Sequence, residues 1–298
     1  MQRMPGETSQ QPQLKRVIGL PGAMMMGLGS IIGTGVFVSL GIGVGIAGPS
    51  VLLAIMLAAG VAMCNGLSSA QLAANHPVSG GTYEYGHRWL NPSLGFTAGW
   101  MFLCAKSASA ATAALGFAGY IAHATGMGAS LPLAVGVVVL VAVVALSGIE
   151  RSNRVNIVIV SIVILALMIF VGTGFSSAVK NKAAFQPLFD GGKLTDLLQA
   201  TALMFVAFTG YGRIATLGEE VAEPRRTIPR AVIVTLLISM ALYLLVAFVG
   251  IGVNAFESLD GSLALASKSV SNAALSTVMI VGATVAMVSV LLNLVLGL

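Results

Sequence analysis

The chain has 298 residues, of which 57% are hydrophobic and 8% charged, whereas a soluble domain carries about a quarter charged residues. That composition excludes a soluble globular fold, and continuous apolar runs without strand alternation exclude a membrane β-barrel in favour of spanning helices. The net charge of +5 does not point to nucleic acid, because the basic residues sit between apolar runs rather than on one segment.

Residues 1–14 are polar and carry Pro5, Pro12 and several glutamines; they read as a disordered cytoplasmic tail without the apolar core of a secretory signal. A spanning helix needs about 20 apolar residues, and eight such stretches follow, at about 17–40, 49–72, 94–122, 130–148, 155–175, 195–217, 230–253 and 273–298. The first contains Gly29, Gly33, Thr34 and Gly35 at mid-span, where glycine weakens a helix and marks a point at which it can open. Cys64 and Cys104 lie within the second and third spans and read as small buried hydrophobes. Lys106 is a charge inside the third span, and such charges are costly enough in lipid to be functional candidates. His76, His87 and His123 stand near span ends without metal-ligand spacing.

The sixth span repeats the first span's irregularity in Phe205-Val206-Ala207-Phe208-Thr209-Gly210-Tyr211-Gly212-Arg213. An opened helix presents free N–H groups that suit a carboxylate and free C=O groups that suit an ammonium or cation. Two broken helices, one opening the chain's apolar part and one following the fifth span, predict an inverted-repeat transporter with its site at the membrane midplane. The alternative is that these glycines only allow close helix packing. With a cytoplasmic N-terminus, the inner segments hold Arg3, Lys15, Arg16, Arg88, Arg151, Arg154, Arg225, Arg226 and Arg230, against Lys180, Lys182, Lys193 and Lys268 outside. That asymmetry obeys the positive-inside rule.

Gly29-Ser30-Ile31-Ile32-Gly33-Thr34-Gly35-Val36-Phe37 resembles the first-helix signature of the amino acid, polyamine and organocation transporter superfamily. Pro77-Val78-Ser79-Gly80-Gly81-Thr82-Tyr83-Glu84-Tyr85 with Gly99-Trp100 resembles its segment between helices two and three, and Phe208-Thr209-Gly210-Tyr211 with Glu219-Glu220-Val221, Pro224-Arg225-Arg226 and Ile228-Pro229-Arg230 its sixth helix and following loop. The matches run in order over about residues 15–235 and are closest to bacterial permeases similar to cationic amino acid transporters.

The resemblance implies an all-α polytopic fold of two inverted five-helix repeats, similar to the leucine transporter. The first repeat would occupy 15–176, an extracytoplasmic loop 177–194, and an incomplete second repeat 195–298. Because such a fold needs at least ten spans, the chain reads as a fragment that stops within an apolar run. Carried over residue by residue, the substrate carboxylate meets the N–H groups and hydroxyl around Gly33, Thr34 and Gly35. The α-ammonium meets carbonyls near Ile31 and at Val206, Ala207 and Thr209 beside Gly210, with Phe208 as a lid. A lysine that proton-coupled members carry on helix five aligns with Val163. Lys106 then reads as a replacement cation, holding the ion position or cycling a proton, or else as a snorkelling or structurally paired lysine. Arg213 reads as an inner-gate residue closing on Glu219 or Glu220 in preference to a contact for an acidic substrate side chain. Glu219, Glu220 and Glu223 with Arg225, Arg226 and Arg230 form a mixed-charge loop that latches the gate through salt bridges or is simply solvated.

No constellation of nucleophile and base or metal ligands suggests an intramembrane enzyme, and no repeated filter suggests a channel. The expected activity is secondary active transport of amino acids across the cytoplasmic membrane by alternating access, coupled to H+ or Na+ and without an organic cofactor. Transport of polyamines or organic cations on the same fold is the alternative; it would call for acidic residues within the spans.

Overall fold

The computed structural model describes residues 18–77, 80–126, 128, 131–146, 149–186, 194–256 and 273–297. The expected tail at 1–14 and the Val78-Ser79 part of the second motif lie outside them. Helix α1 runs Leu20–Ile31, with Pro21 in its first turn, where a missing N–H leaves nothing unsatisfied. Ile32 then takes an extended conformation (φ −80°, ψ 94°), the helix resumes with a π-type turn over Gly35–Ser39, and α2 follows at Leu40–Ala47. Gly48, at φ +56°, turns the chain into α3, Val51–Asn75.

Within the segment expected between the second and third spans, residues 82–89 form the short helix α4 (Thr82–Trp89). Asn91 caps α5 (Pro92–Thr125) by accepting from the Leu94 N–H at 2.8 Å. Then come α6 (Leu131–Leu146), α7 (Ile149–Lys180), α8 (Leu194–Phe208), a 3-10 turn at Thr209–Tyr211, α9 (Gly212–Ala215), α10 (Pro224–Gly252) and α11 (Ala273–Val295). Helix thus falls within each expected span, and among the described residues five helices are long and apolar enough to cross a membrane. Two begin six residues earlier than hydropathy suggested, α7 at Ile149 rather than 155 and α10 at Pro224 rather than 230. Charged first turns are invisible to a hydropathy window but fold with the helix they start.

Helix α1 occupies the middle of the bundle, packing on α7, α10, α11 and the 3-10 turn after α8. Helix α3 packs on α10 and α8. Its contact face is a stripe of small residues at four-residue spacing, with Ala54, Ala58, Ala62 and Ala70 fully buried and Gly66 against Val232. In lipid, apolar burial gives no drive to associate, so close backbone approach along such a stripe supplies the packing energy instead.

The outer surface is apolar: Met101, Leu140 and Leu146 are 65%, 61% and 87% exposed, as a lipid-facing bundle requires and a soluble one would not tolerate. Cys64 and Cys104 belong to this outer surface, which corrects the expectation that they are buried. An apolar span does not reveal in sequence which side faces lipid.

Candidate amino acid site between two broken helices

The breaks at 32–34 and 209–211 meet. Gly210 packs so closely that a Cβ there would lie 2.6 Å from the Ser30 carbonyl carbon, a backbone atom that cannot swing aside. Gly33 and Gly35 are crowded by side chains instead, by Val290 and by the Tyr243 hydroxyl respectively. In the first break, Ile32 N–H still bonds Leu28 O at 2.7 Å, and Phe37 N–H bonds Gly33 O at 3.0 Å. The N–H groups between them open a new helical segment and have no preceding turn to bond, the situation that favours a carboxylate.

Two tyrosines hold this opened backbone in place. Tyr243, fully buried on α10, donates its hydroxyl to Ile31 O at 2.7 Å, and Tyr120 on α5 donates to Phe37 O at 2.9 Å. Phe208, the expected lid, is itself fully buried, with its ring 5.1 Å from that of Tyr243. In the second break, Thr209 Oγ1 donates to Val206 O at 2.7 Å. Hydroxyls thus already donate to two carbonyls of the expected ammonium set, Ile31 and Val206.

A cavity of about 70 Å³ lies between the breaks. Thr34, Val206, Ala207, Thr209 and Gly210 line it, and so do Lys106 and Arg213. Ile31, Gly33, Gly35 and Phe208 stand behind this surface as its support rather than as its lining. Lys106 Nζ lies 5.5 Å from the centre of the Phe102 ring.

Arg213 is 9% exposed and donates to Thr216 Oγ1 at 3.2 Å, while its Nε has no hydrogen-bond partner. Glu220 faces it electrostatically, and one buried oxygen of that carboxylate, Oε2, also lacks a partner. Burial raises the Glu220 carboxyl above the ordinary range, against the opposing pull of Arg213. Glu219 lies outside the cavity lining.

The loop carrying these acids is fastened by main chain: Ile18 N–H bonds Glu220 O at 3.0 Å and Ala222 N–H bonds Ile18 O at 2.9 Å. Arg226 and Glu223 pair at 3.9 Å on the surface, where ion pairs contribute about 0–1 kcal/mol. His76 packs against Tyr85 and Trp89 and lies 3.6 Å from Glu84. Among the described residues, no three His, Cys, Asp or Glu side chains gather as a metal would require.

A buried amide cluster escaped the sequence reading. Asn156 on α7 donates to Met25 O at 2.9 Å, while its Oδ1 accepts from Asn293 Nδ2 at 2.6 Å and from Ser289 Oγ at 3.0 Å. Ser289 Oγ also lies 3.4 Å from Gly29 O. The cluster ties α1, just before its break, to α7 and α11, and Asn293 extends it to the cavity wall. Its signal was available, since Asn156, Ser289 and Asn293 are polar residues within apolar spans.

Residues 22–298 match the amino acid permease family model. The chain is 41% identical over 292 residues to an uncharacterized transporter of Mycobacterium tuberculosis, covering 96% of this chain and 64% of that protein. It is 29% identical over 315 residues to the branched-chain amino acid permease BcaP of Bacillus subtilis, covering 97% and 67%. Similarity to human cationic amino acid transporter 4 is 28% over 281 residues, covering 87% and 44%. The chain therefore spans about two thirds, or less, of the length of these relatives. The crystal structure of MhsT in complex with L-phenylalanine superposes with a TM-score of 0.69 at 15% identity, over 93% of this chain and 70% of that one, which establishes the shared fold. The match over nearly the whole chain shows that it belongs to the amino acid permease family.

Proposed function

We propose that the protein is a secondary active transporter of amino acids that works by alternating access in a cytoplasmic membrane. The observation that carries this reading is the cavity bounded by both helix breaks, with Thr34 on one side and Val206, Ala207, Thr209 and Gly210 on the other. The substrate carboxylate binds the N–H groups and hydroxyl at 33–35, and the ammonium binds the carbonyls at Ile31 and in 206–209. Phe208 sets the volume of the side-chain pocket from behind the wall.

The N-terminus is cytoplasmic, by the distribution of basic residues. The Ile18–Val221 bridge then fastens the inner end, with Arg213 and Glu220 beneath it, and must open to release substrate inward. Transport is coupled to an H+ or Na+ gradient, which uptake with sodium replaced, or with the pH gradient collapsed, distinguishes. Polyamine transport fits less well, because the cavity lining holds two cations and no carboxylate.

Thermal stabilisation of the purified protein by a panel of the twenty amino acids and by polyamines tests the reading. Stabilisation by amino acids, lost in Thr34→Val and Gly33→Leu, is expected. Stabilisation by polyamines alone would overturn it.

A further inference from the structure

The cavity carries a charge imbalance that an amino acid's backbone does not resolve. Lys106 reaches it from α5 and Arg213 from α9, so two cationic side chains line one small cavity. The rest of the lining is neutral, with hydroxyls at Ser30, Ser109 and Thr216. Glu220 is the acid whose charge reaches Arg213, but its carboxylate sits outside the lining, and the Arg213 Nε is left without a partner though the side chain is nine-tenths buried.

Two cations held together away from water repel each other and call for an anion. Guanidinium is suited to a carboxylate because its planar N–H groups match the two oxygens. In the permease reading above, on which this inference rests, the substrate's α-carboxylate is already taken by the N–H groups at 33–35. The anion left for Lys106 and Arg213 is on the side chain.

We propose that Lys106 and Arg213 form the side-chain subsite and that the transported amino acid is acidic, of the glutamate or aspartate class. The side-chain carboxylate meets the Arg213 guanidinium and also faces the cation of Lys106 in the same cavity lining. Substrates with a cationic side chain are rejected by both groups, and neutral isosteres leave both unpaired. This selectivity differs from what the names of the similar branched-chain and cationic amino acid transporters state for those proteins. It also gives Arg213 the role set second in the sequence reading, after the gate.

Uptake by the protein reconstituted in liposomes decides the matter, comparing radiolabelled glutamate, glutamine, leucine and lysine in wild type, Lys106→Met, Lys106→Arg and Arg213→Gln. Wild type is expected to prefer glutamate over glutamine by at least tenfold in kcat/KM. Lys106→Met and Arg213→Gln should each collapse that preference while glutamine uptake persists, and Lys106→Arg should restore it. Preferential uptake of leucine or lysine would overturn the acidic subsite and leave the permease reading standing. An equal loss of all substrates in Lys106→Met and Arg213→Gln would also overturn it, by assigning the pair to the α-carboxylate. Absence of uptake of any amino acid by wild type would overturn both.

Discussion

The Tyr243 hydroxyl is the most exacting contact in the first break, and it makes a quantitative prediction. It lies fully buried, donates to Ile31 O at 2.7 Å, and fills the space where a side chain at position 35 would begin. A methyl group added by Gly35→Ala overlaps the hydroxyl and would also stand 2.9 Å from Tyr243 Cζ and 3.1 Å from Ala207 Cβ. Overpacking of this kind costs about 1–3 kcal/mol, and displacing the hydroxyl strips a buried carbonyl of its donor for about 1–3 kcal/mol more. Tyr243→Phe keeps the ring against Phe208 and loses only the hydrogen bond, about 1 kcal/mol given the modest values found inside membranes. The double variant loses that bond once and regains the oxygen's volume for the methyl. Its destabilisation should therefore fall short of the sum of the two single effects by about 1–2 kcal/mol. Unfolding of the four proteins in mixed detergent, followed by tryptophan fluorescence, supplies the cycle. Additivity to within about 0.5 kcal/mol, or a Gly35→Ala protein as stable as wild type, would refute the proposed contact.

Two further predictions concern residues outside the cavity lining. Asn156→Leu removes the amide that joins three helices, taking a donor from the Met25 carbonyl and an acceptor from Asn293 Nδ2 and Ser289 Oγ; a loss of about 1–3 kcal/mol in the same unfolding assay is expected, and a neutral result would show the cluster to be dispensable. Burial raises the Glu220 carboxyl, so its contribution to folded stability is fully present below the ordinary glutamate range and is lost as pH rises through the raised folded value. Wild type should accordingly lose thermal stability relative to Glu220→Gln as the pH is raised through that interval, and parallel pH profiles would contradict this.

Much of the architecture was legible because lipid imposes a simple rule: every spanning stretch must be apolar and helical. The breaks were legible for a related reason, since Gly33, Gly35 and Gly210 contradict helix propensity where regularity is most expected. Comparing the structure shows why those positions are glycine. At 210 the neighbour is the backbone of the other broken helix, and at 35 it is a tyrosine hydroxyl. The tertiary partners were not legible. Nothing local identifies Tyr243 as the donor to Ile31, 212 residues away, or Asn156 as the hub between α1 and α11. The division of the predicted site into lining and support was equally hidden, because Gly33 and Phe208 face neighbouring helices that the sequence does not place. Lys106 and Arg213 were noticed separately as charges within the apolar region, and only the fold brings them to one cavity.

A cryo-electron microscopy structure with the preferred amino acid bound tests the central claim most directly. The account predicts density between the two breaks, with the carboxylate against the N–H groups of residues 33–35 and the ammonium facing the carbonyls of Ile31 and residues 206–209. Density instead in the apolar cavity of about 440 Å³ beside Trp100 and Tyr83, with the space between the breaks unchanged, would contradict it.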